Sequence, residues 1–336
     1  MSNRVMATAS SVRRVVVLLV LLATLPGIAG CGGSRDSTAV SYGGVRDQGS
    51  SGYAVAELEG FYARQGLTFS PAWATSGTVL LQGLVSGDFD VANLGPAQLY
   101  DAIGNGACAR VLRPTQGAGY GVIAQPGLHL DTTRPYPGVL TQLRGRTVGV
   151  PARGAAQELV LRSLLAEAGL NPDTDVTWVA IGGGAAAASL FASGKVDAAM
   201  SYSLLETNLT TGGTAFDKLV DLAGPAGPLG AFWQTVAVAN CGWADRHPDT
   251  VMKFCHALNQ GLEALAREPE AGPRAFTWLG LGSDPGRAKT LWDRYKSPVV
   301  DIPPLDEGNW NHQAKFTAGG RAPDFAEHVV DGCATA

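Results

Sequence analysis

The sequence predicts an α/β protein built as two similar lobes, and three observations carry that expectation. LVSGDFDVANL at Leu84–Leu94 returns as LFASGKVDAAM at Leu190–Met200, with Ser86-Gly87 matching Ser193-Gly194, Asp90 matching Asp197 and Ala92 matching Ala199. Each copy closes an Ala/Leu-rich helical run with a glycine suited to the left-handed C-cap, then enters a short apolar strand through an aspartate. Each also lies within its own alternation of strand and helix patterns, which favours two layered units over one large sheet. Finally, the ~295 residues left once a leader is set aside exceed the size at which a single core keeps growing. Between two lobes lies a cleft.

The leader comes first. Arg4, Arg13 and Arg14 precede eleven apolar or small residues, Val15 to Leu25, and the segment ends in Ile28-Ala29-Gly30-Cys31. That core is too short to span a bilayer, and small residues before a cysteine form the cleavage pattern of a bacterial lipoprotein signal, so residues 1–30 are expected to be removed and Cys31 lipidated. Ile28 stands where leucine is commoner. Residues 31–41, polar and small without apolar period, are expected to form a flexible tether. The chain holds 25 Lys+Arg against 29 Asp+Glu. Losing the leader removes three arginines and no acid, so nucleic acid is not an expected partner. After the leader no long apolar run remains, so membrane attachment rests on Cys31.

Four cysteines remain: Cys108, Cys241, Cys255 and Cys333. An even number in an exported chain permits two disulfides of open connectivity, and no spacing suits zinc. Cys255 falls on the Val251, Phe254, Leu258, Leu262, Leu265 face of a helix, where a buried free thiol competes with a bridge.

The first lobe opens with a strand over 40–45, a polar loop over 46–52, and a helix with Tyr53, Val55, Ala56, Phe61 and Tyr62 on one side, ended by Gly66. Leu67–Trp73 alternates as a strand; Thr75-Ser76-Gly77 turns and caps a helix over 79–85; Phe89–Leu94 is the next strand, and Gly95-Pro96 begins a further loop and helix.

GYAVAELEGFYARQGL, LVSGDFDVANLGP, LRGRTVGVPARGAAQELVLRSLLAEAGLNPDTDVTWV and LFASGKVDAAM, in that order, resemble the solute-binding proteins of ABC importers in the nitrate/sulfonate/taurine and thiamine-precursor group, across about residues 40–266. The resemblance implies a periplasmic-binding-protein-like fold of type II: two α/β lobes, the second inserted in the first, joined by two hinge strands and closing on a small solute. It further implies an ABC permease and its ATPase as partners, a monomer, an extracytoplasmic location and no cofactor. Tyr120–Ala124 and Gln234–Ala239 are the β-rich runs taken as hinge strands, which divides the chain into lobe 1 at 42–119 and 236–336 and lobe 2 at 120–235. Within lobe 2, strands are expected at 147–150, 176–181 and 196–200, with helices at 155–168 and 185–192; a helix over 249–266 follows, and the tail beyond carries helical pattern but no motif.

Ligands of open α/β sheets bind where strands end and helix N-termini present free N–H groups. The loops in that position offer Gln48, Ser50, Tyr53, Ser76 and Asn93 from lobe 1, and Arg153, Gly183 and Tyr202 from lobe 2. Each glycine there also suits simple turn geometry, and only the convergence of the loops argues for a site. Arg153, two residues past a strand in PARGAA, combines a guanidinium with a helix start and points toward a small anion; a solvated loop arginine is the plainer alternative. Arg46 has a weaker claim of the same kind. Tyr53, Trp73, Tyr202 and Trp233 suit either a cleft wall or the core. No dinucleotide fingerprint, P-loop, GxSxG or HExxH is present, and no catalytic or metal residues are expected. A thiamine-pyrimidine or other planar-solute binder, a lipid-anchored sensory module and a pyrimidine-synthase-like enzyme remain as alternatives; the isolated cysteines and the leader count against the enzyme.

Overall fold

The computed structural model describes residues 38–224 and 226–336, which belong to one compact unit, Asp36–Ala336. The leader, Cys31 and the first part of the tether lie outside the described residues. The tether was expected to reach residue 41, but the first strand starts at Ala39, because Ala39 and Val40 pair in register with Thr68 and Phe69.

The chain runs β1 (Ala39–Gly44), α1 (Ser51–Leu58), α2 (Phe61–Arg64), β2 (Thr68–Trp73), α3 (Gly77–Ser86), β3 (Val91–Leu94), α4 (Pro96–Gly104) and β4 (Ala109–Gly117). The single helix expected over 53–66 is broken at Gly60, whose φ of 69° lies in the left-handed region. Next come β5 (Tyr120–Ala124), β6 (Arg146–Val150), α5 (Ala156–Glu167), β7 (Val176–Ala180), α6 (Gly184–Ala192), β8 (Ala198–Tyr202), α7 (Ser203–Thr211) and β9 (Asp217–Asp221). β10 (Trp233–Asn240), α8 (Cys241–Arg246) and the long α9 (Pro248–Arg267) lead into a tail of five helices: α10 (Ala271–Leu279), α11 (Pro285–Tyr295), α12 (Ser297–Val300), α13 (Glu307–Gln313) and α14 (Phe325–His328).

Two five-stranded sheets result, ordered β2-β1-β3-β10-β4 and β7-β6-β8-β5-β9. They follow one plan. In each, three parallel strands come first and the fourth runs antiparallel: β10 against β3, β5 against β8. The repeated aspartate has the same task in both. Asp90 Oδ2 accepts from the backbone N–H of Ser41 at 2.8 Å, and Asp197 Oδ2 from that of Thr147 at 2.8 Å, so each ties the start of one strand to its parallel neighbour. The SG..D.A stretch is legible because this tie, with the left-handed glycines Gly87 and Gly194 before it, recurs in each sheet.

The expected hinge strands sit differently from their forecast. Tyr120–Ala124 is wholly β5, between β8 and β9, and Gln234–Ala239 lies within β10, between β3 and β4. A β-rich run satisfies its backbone with ladders on both sides, so it serves as the interior of a sheet. The chain instead passes between sheets at Ala118-Gly119 and again between the end of β9 and the start of β10. Gly119 is held there by Gln234 Oε1, which accepts its N–H at 2.9 Å.

The tail packs chiefly on the first sheet. Phe276, Trp292 and Val299 join the core formed by α1, α9 and Tyr42, whereas Trp310 completes the core on the opposite face. Phe316 instead enters the core of the second sheet beside Phe232. α1 and α9 meet closely at Gly261, where a β-carbon would come within 2.3 Å of the Gly52 carbonyl oxygen. Both pairs of cysteines are bridged, Cys108 to Cys241 and Cys255 to Cys333, so Cys255 is no free thiol. No described helix is long and apolar enough to cross a membrane.

Candidate functional site

The ends of β1, β2 and β3 face those of β6, β7 and β8, and the two sets of loops touch. Gln98, in the first turn of α4, lends its Oε1 to the N–H of Ala156, the first residue of α5, at 3.1 Å. It thereby satisfies one of the free N–H groups at that helix start. Gly95 approaches the same residue so closely that a β-carbon on it would sit 2.4 Å from Ala156 Cβ. Nearby, a β-carbon on Gly183 would lie 3.4 Å from the Thr75 carbonyl oxygen.

Enclosed by these contacts is a cavity of about 50 Å³, bordered by Asp47, Asn93, Gln98, Gln234 and Thr235 on one side and by Tyr120, Ala156 and Gln157 on the other. That holds a few water-sized groups. Asn93 is fixed from three directions: its Oδ1 accepts from Thr115 Oγ1 at 2.7 Å and from the Tyr53 hydroxyl at 3.3 Å, and its Nδ2 donates to the Gly49 carbonyl at 3.2 Å. Asp47 caps the short turn Gln48–Ser50 by accepting from the Gly49 N–H at 3.0 Å. Burial pushes its carboxyl up to about 7, although the N–H groups of Gly49 and Ser50 pull the other way. Gln48, Gln98, Gln116 and Gln234 are all buried. Gln48 Oε1, Gln98 Nε2 and both polar atoms of the Gln116 carboxamide have no hydrogen-bond partner among the described residues. Such atoms mark a place built to meet polar groups.

Of the residues singled out from sequence, Asn93 borders the cavity and Gln48 is buried beside Gly119, where its Nε2 would lie 3.2 Å from an added β-carbon. Ser50 donates instead to the Val45 carbonyl at 2.7 Å, and Tyr53 is fully buried, touching the site only through Asn93. Ser76 caps α3 through the Val79 N–H. Gly183 precedes α6, and the Tyr202 hydroxyl accepts from the Gly184 N–H at 3.1 Å. Arg153 is half-exposed, does not border the cavity, and meets an internal anion through one of its nitrogens. Its Nε donates to Glu158 Oε2 at 2.9 Å, and this buried carboxylate also takes Arg162 and the Gly154 N–H. Burial raises the Glu158 carboxyl, but these partners outweigh it and hold it below the usual range. Arg46 lies over the Trp73 ring, which packs edge-on to Tyr42, and Trp233 is a core residue donating to the Pro303 carbonyl at 2.9 Å.

Asp47, Gln98, Gln234 and Thr235 escaped sequence reasoning. For Gln98, Gln234 and Thr235 the signal was a polar residue inside an apolar run, in GPAQLYDA and FWQTVAVA, just where an element begins; Asp47 is one polar residue among several in its loop.

A polar pocket between two lobes of one plan defines the class of molecule, a two-lobed binding-protein fold. The sequence profile of the NMT1-like family matches residues 34–203, and the chain belongs to that family. A protein of Brucella abortus (strain 2308) that carries a binding-protein name is 29% identical over 197 residues, 58% of this chain and 56% of the relative. The chain thus spans about half the length of the curated relatives it matches. A protein of Bordetella bronchiseptica RB50 superposes with a TM-score of 0.74 at 20% identity, covering 89% of this chain and 96% of that one. The alkanesulfonate-binding protein SsuA of Xanthomonas axonopodis pv. citri gives 0.67 at 19% identity, covering 87% and 98%. The nitrate-binding protein NrtA of Synechocystis PCC 6803 gives 0.63 at 14%, covering 83% and 80%. These likenesses show the periplasmic-binding-protein fold.

Proposed function

We propose that this chain captures a small solute between its lobes and delivers it to an ABC permease and its ATPase, from the outer face of the membrane to which Cys31 anchors it. The observation that carries the reading is the polar cavity where the loops of the two sheets meet, with buried carboxamide atoms unpaired around it. Binding without chemistry suits it, since the SsuA and NrtA structures are by name binding proteins. Those names describe anion binders, and a sulfonate or nitrate is the solute that family membership suggests first. Against it stands Arg153, the cation expected to serve an anion, which is paired with Glu158. An uncharged or planar solute has the carboxamide lining in its favour.

Scanning fluorimetry of the full chain in detergent against a solute panel tests capture. A bound solute at ~100 times its dissociation constant should add about 2.7 kcal/mol to stability, a readable shift in melting temperature. A panel spanning anions, amines and neutral heterocycles that produces no shift would remove the proposal. For the anchor, Cys31→Ala should leave a heavier, unlipidated precursor by mass spectrometry; normal processing of this variant would refute it.

A further inference from the structure

We propose, resting on the reading of this cavity as the solute site, that it selects a small solute without net negative charge that carries an amide- or amidine-type edge, and that Asp47 determines this selectivity. Among the described residues bordering the cavity there is no lysine, arginine or histidine, and Asp47 is the one carboxylic acid. The nearby cations do not border it: Arg46 lies over Trp73, the half-exposed Arg153 gives its Nε to Glu158, and Arg113 meets Asn259 and the Pro114 carbonyl. Above about pH 7, where Asp47 is ionised, an anion placed here would face a carboxylate with no counter-charge, whereas a donor-bearing group would gain a charge-assisted hydrogen bond.

Two more groups bear on the edge. In the lining, Gln98 Nε2 is a buried donor without a partner among the described residues; outside it, in the turn that Asp47 caps, Gln48 Oε1 is a buried acceptor without one. A solute offering donor and acceptor side by side, as an amide or amidine does, complements such groups; a nitrate or sulfonate, which only accepts, leaves Asp47 unanswered. The groups facing Asp47 do not change this. Tyr42 on β1, Tyr120 on β5 and Tyr202 at the end of β8 are all held protonated by burial, well beyond neutral pH, and Asn93 and Gln98 are uncharged.

The test uses the full chain in detergent at pH 8, where Asp47 is ionised, with four probes at matched millimolar concentration: acetamide, acetamidinium, nitrate and methanesulfonate. Acetamide and acetamidinium should raise the melting temperature while the two anions do not. Asp47→Asn keeps a side-chain oxygen to cap the Gln48–Ser50 turn but removes the charge. It should weaken acetamidinium by about tenfold or more and acetamide by less than about threefold, measured by calorimetry. Should that variant fail to fold, Asp47→Ser, which also retains a cap acceptor, serves for the same comparison. Stabilisation by nitrate or methanesulfonate alone, or equal losses for both nitrogen probes, would overturn the selectivity and leave solute capture standing. Silence from all four probes, with a different solute found by the wider panel, would overturn the selectivity too; silence in both experiments would overturn capture as well.

Discussion

Asp47 is the residue on which pH acts most directly. Its carboxyl, near 3.8 in an unfolded chain, is raised to about 7 by burial, so between those values the folded state holds a proton that the unfolded state has released. Stability from this group is therefore greatest below the unfolded value, falls as pH rises through the window, and is level above about 7. Asp47→Asn should raise the melting temperature of the ligand-free protein at pH 8, corresponding to about 1–3 kcal/mol, and make little difference near pH 4. An equal gain at both pH values would contradict the assignment. Glu158 has the opposite sign. Its lowered carboxyl contributes stability above the usual carboxylate range, and that contribution is lost as pH falls through its folded value. Arg153→Ala removes one of two arginine partners from a buried carboxylate while Arg162 remains. Because Arg153 is half-exposed, the cost at neutral pH should be only about 0.5–1.5 kcal/mol, with the affinity for any cleft solute unchanged. A lost affinity in calorimetry would return Arg153 to the site.

Where α4 begins against α5, steric fit sets how near the two lobes come. Gly95 has φ −75° and ψ 131°, which any residue adopts, so the objection to a side chain there is the Ala156 Cβ across the cleft. Gly95→Ala should leave the stability within about 1 kcal/mol of wild type, since the backbone there is unstrained and the clash is relieved by the lobes moving apart. It should nevertheless weaken solute binding and enlarge the radius of gyration in X-ray scattering. Adding Ala156→Gly should restore both, and a failure of this rescue would show that the clash is not the cause. The alternation of strands and helices, the caps and the repeat were readable in the sequence because local backbone needs write them: Gly87, Gly194, Asp90 and Asp197 each answer to a turn or a strand start. The site was only partly readable. Gln98 is a polar residue on a buried helix, and Gln234 is the second residue of an apolar strand, so their meaning depends on a partner lobe that no local pattern encodes. Arg153 is ambiguous for the converse reason, since a loop arginine beside a helix start has the same sequence signature whether its anion is a solute or Glu158 five residues on.

At the scale of the whole molecule, the covalent bridges fall unevenly. Both join parts of the first sheet's lobe, Cys108 before β4 to Cys241 on α8, and Cys255 on α9 to Cys333 near the C-terminus; the stretch from β5 to β9 contains neither. Thiol titration of the non-reduced protein should find none of these four cysteines reactive, and removing the Cys108–Cys241 bridge as the double serine variant should cost about 3–5 kcal/mol, judged from the long loop it closes. Native-state hydrogen exchange should accordingly show the 120–221 stretch opening at lower free energy than β3 and β10, and the reverse ranking would exclude this account. The strand order has a further consequence for the order of assembly. The second sheet is complete in one continuous run of chain, but β10, an interior strand of the first, is the last of the ten to be synthesised, long after β1 to β4. A chain emerging from the ribosome can finish the inserted half while the enclosing half still waits for its keystone, so the part that begins first in sequence is the part that must mature last.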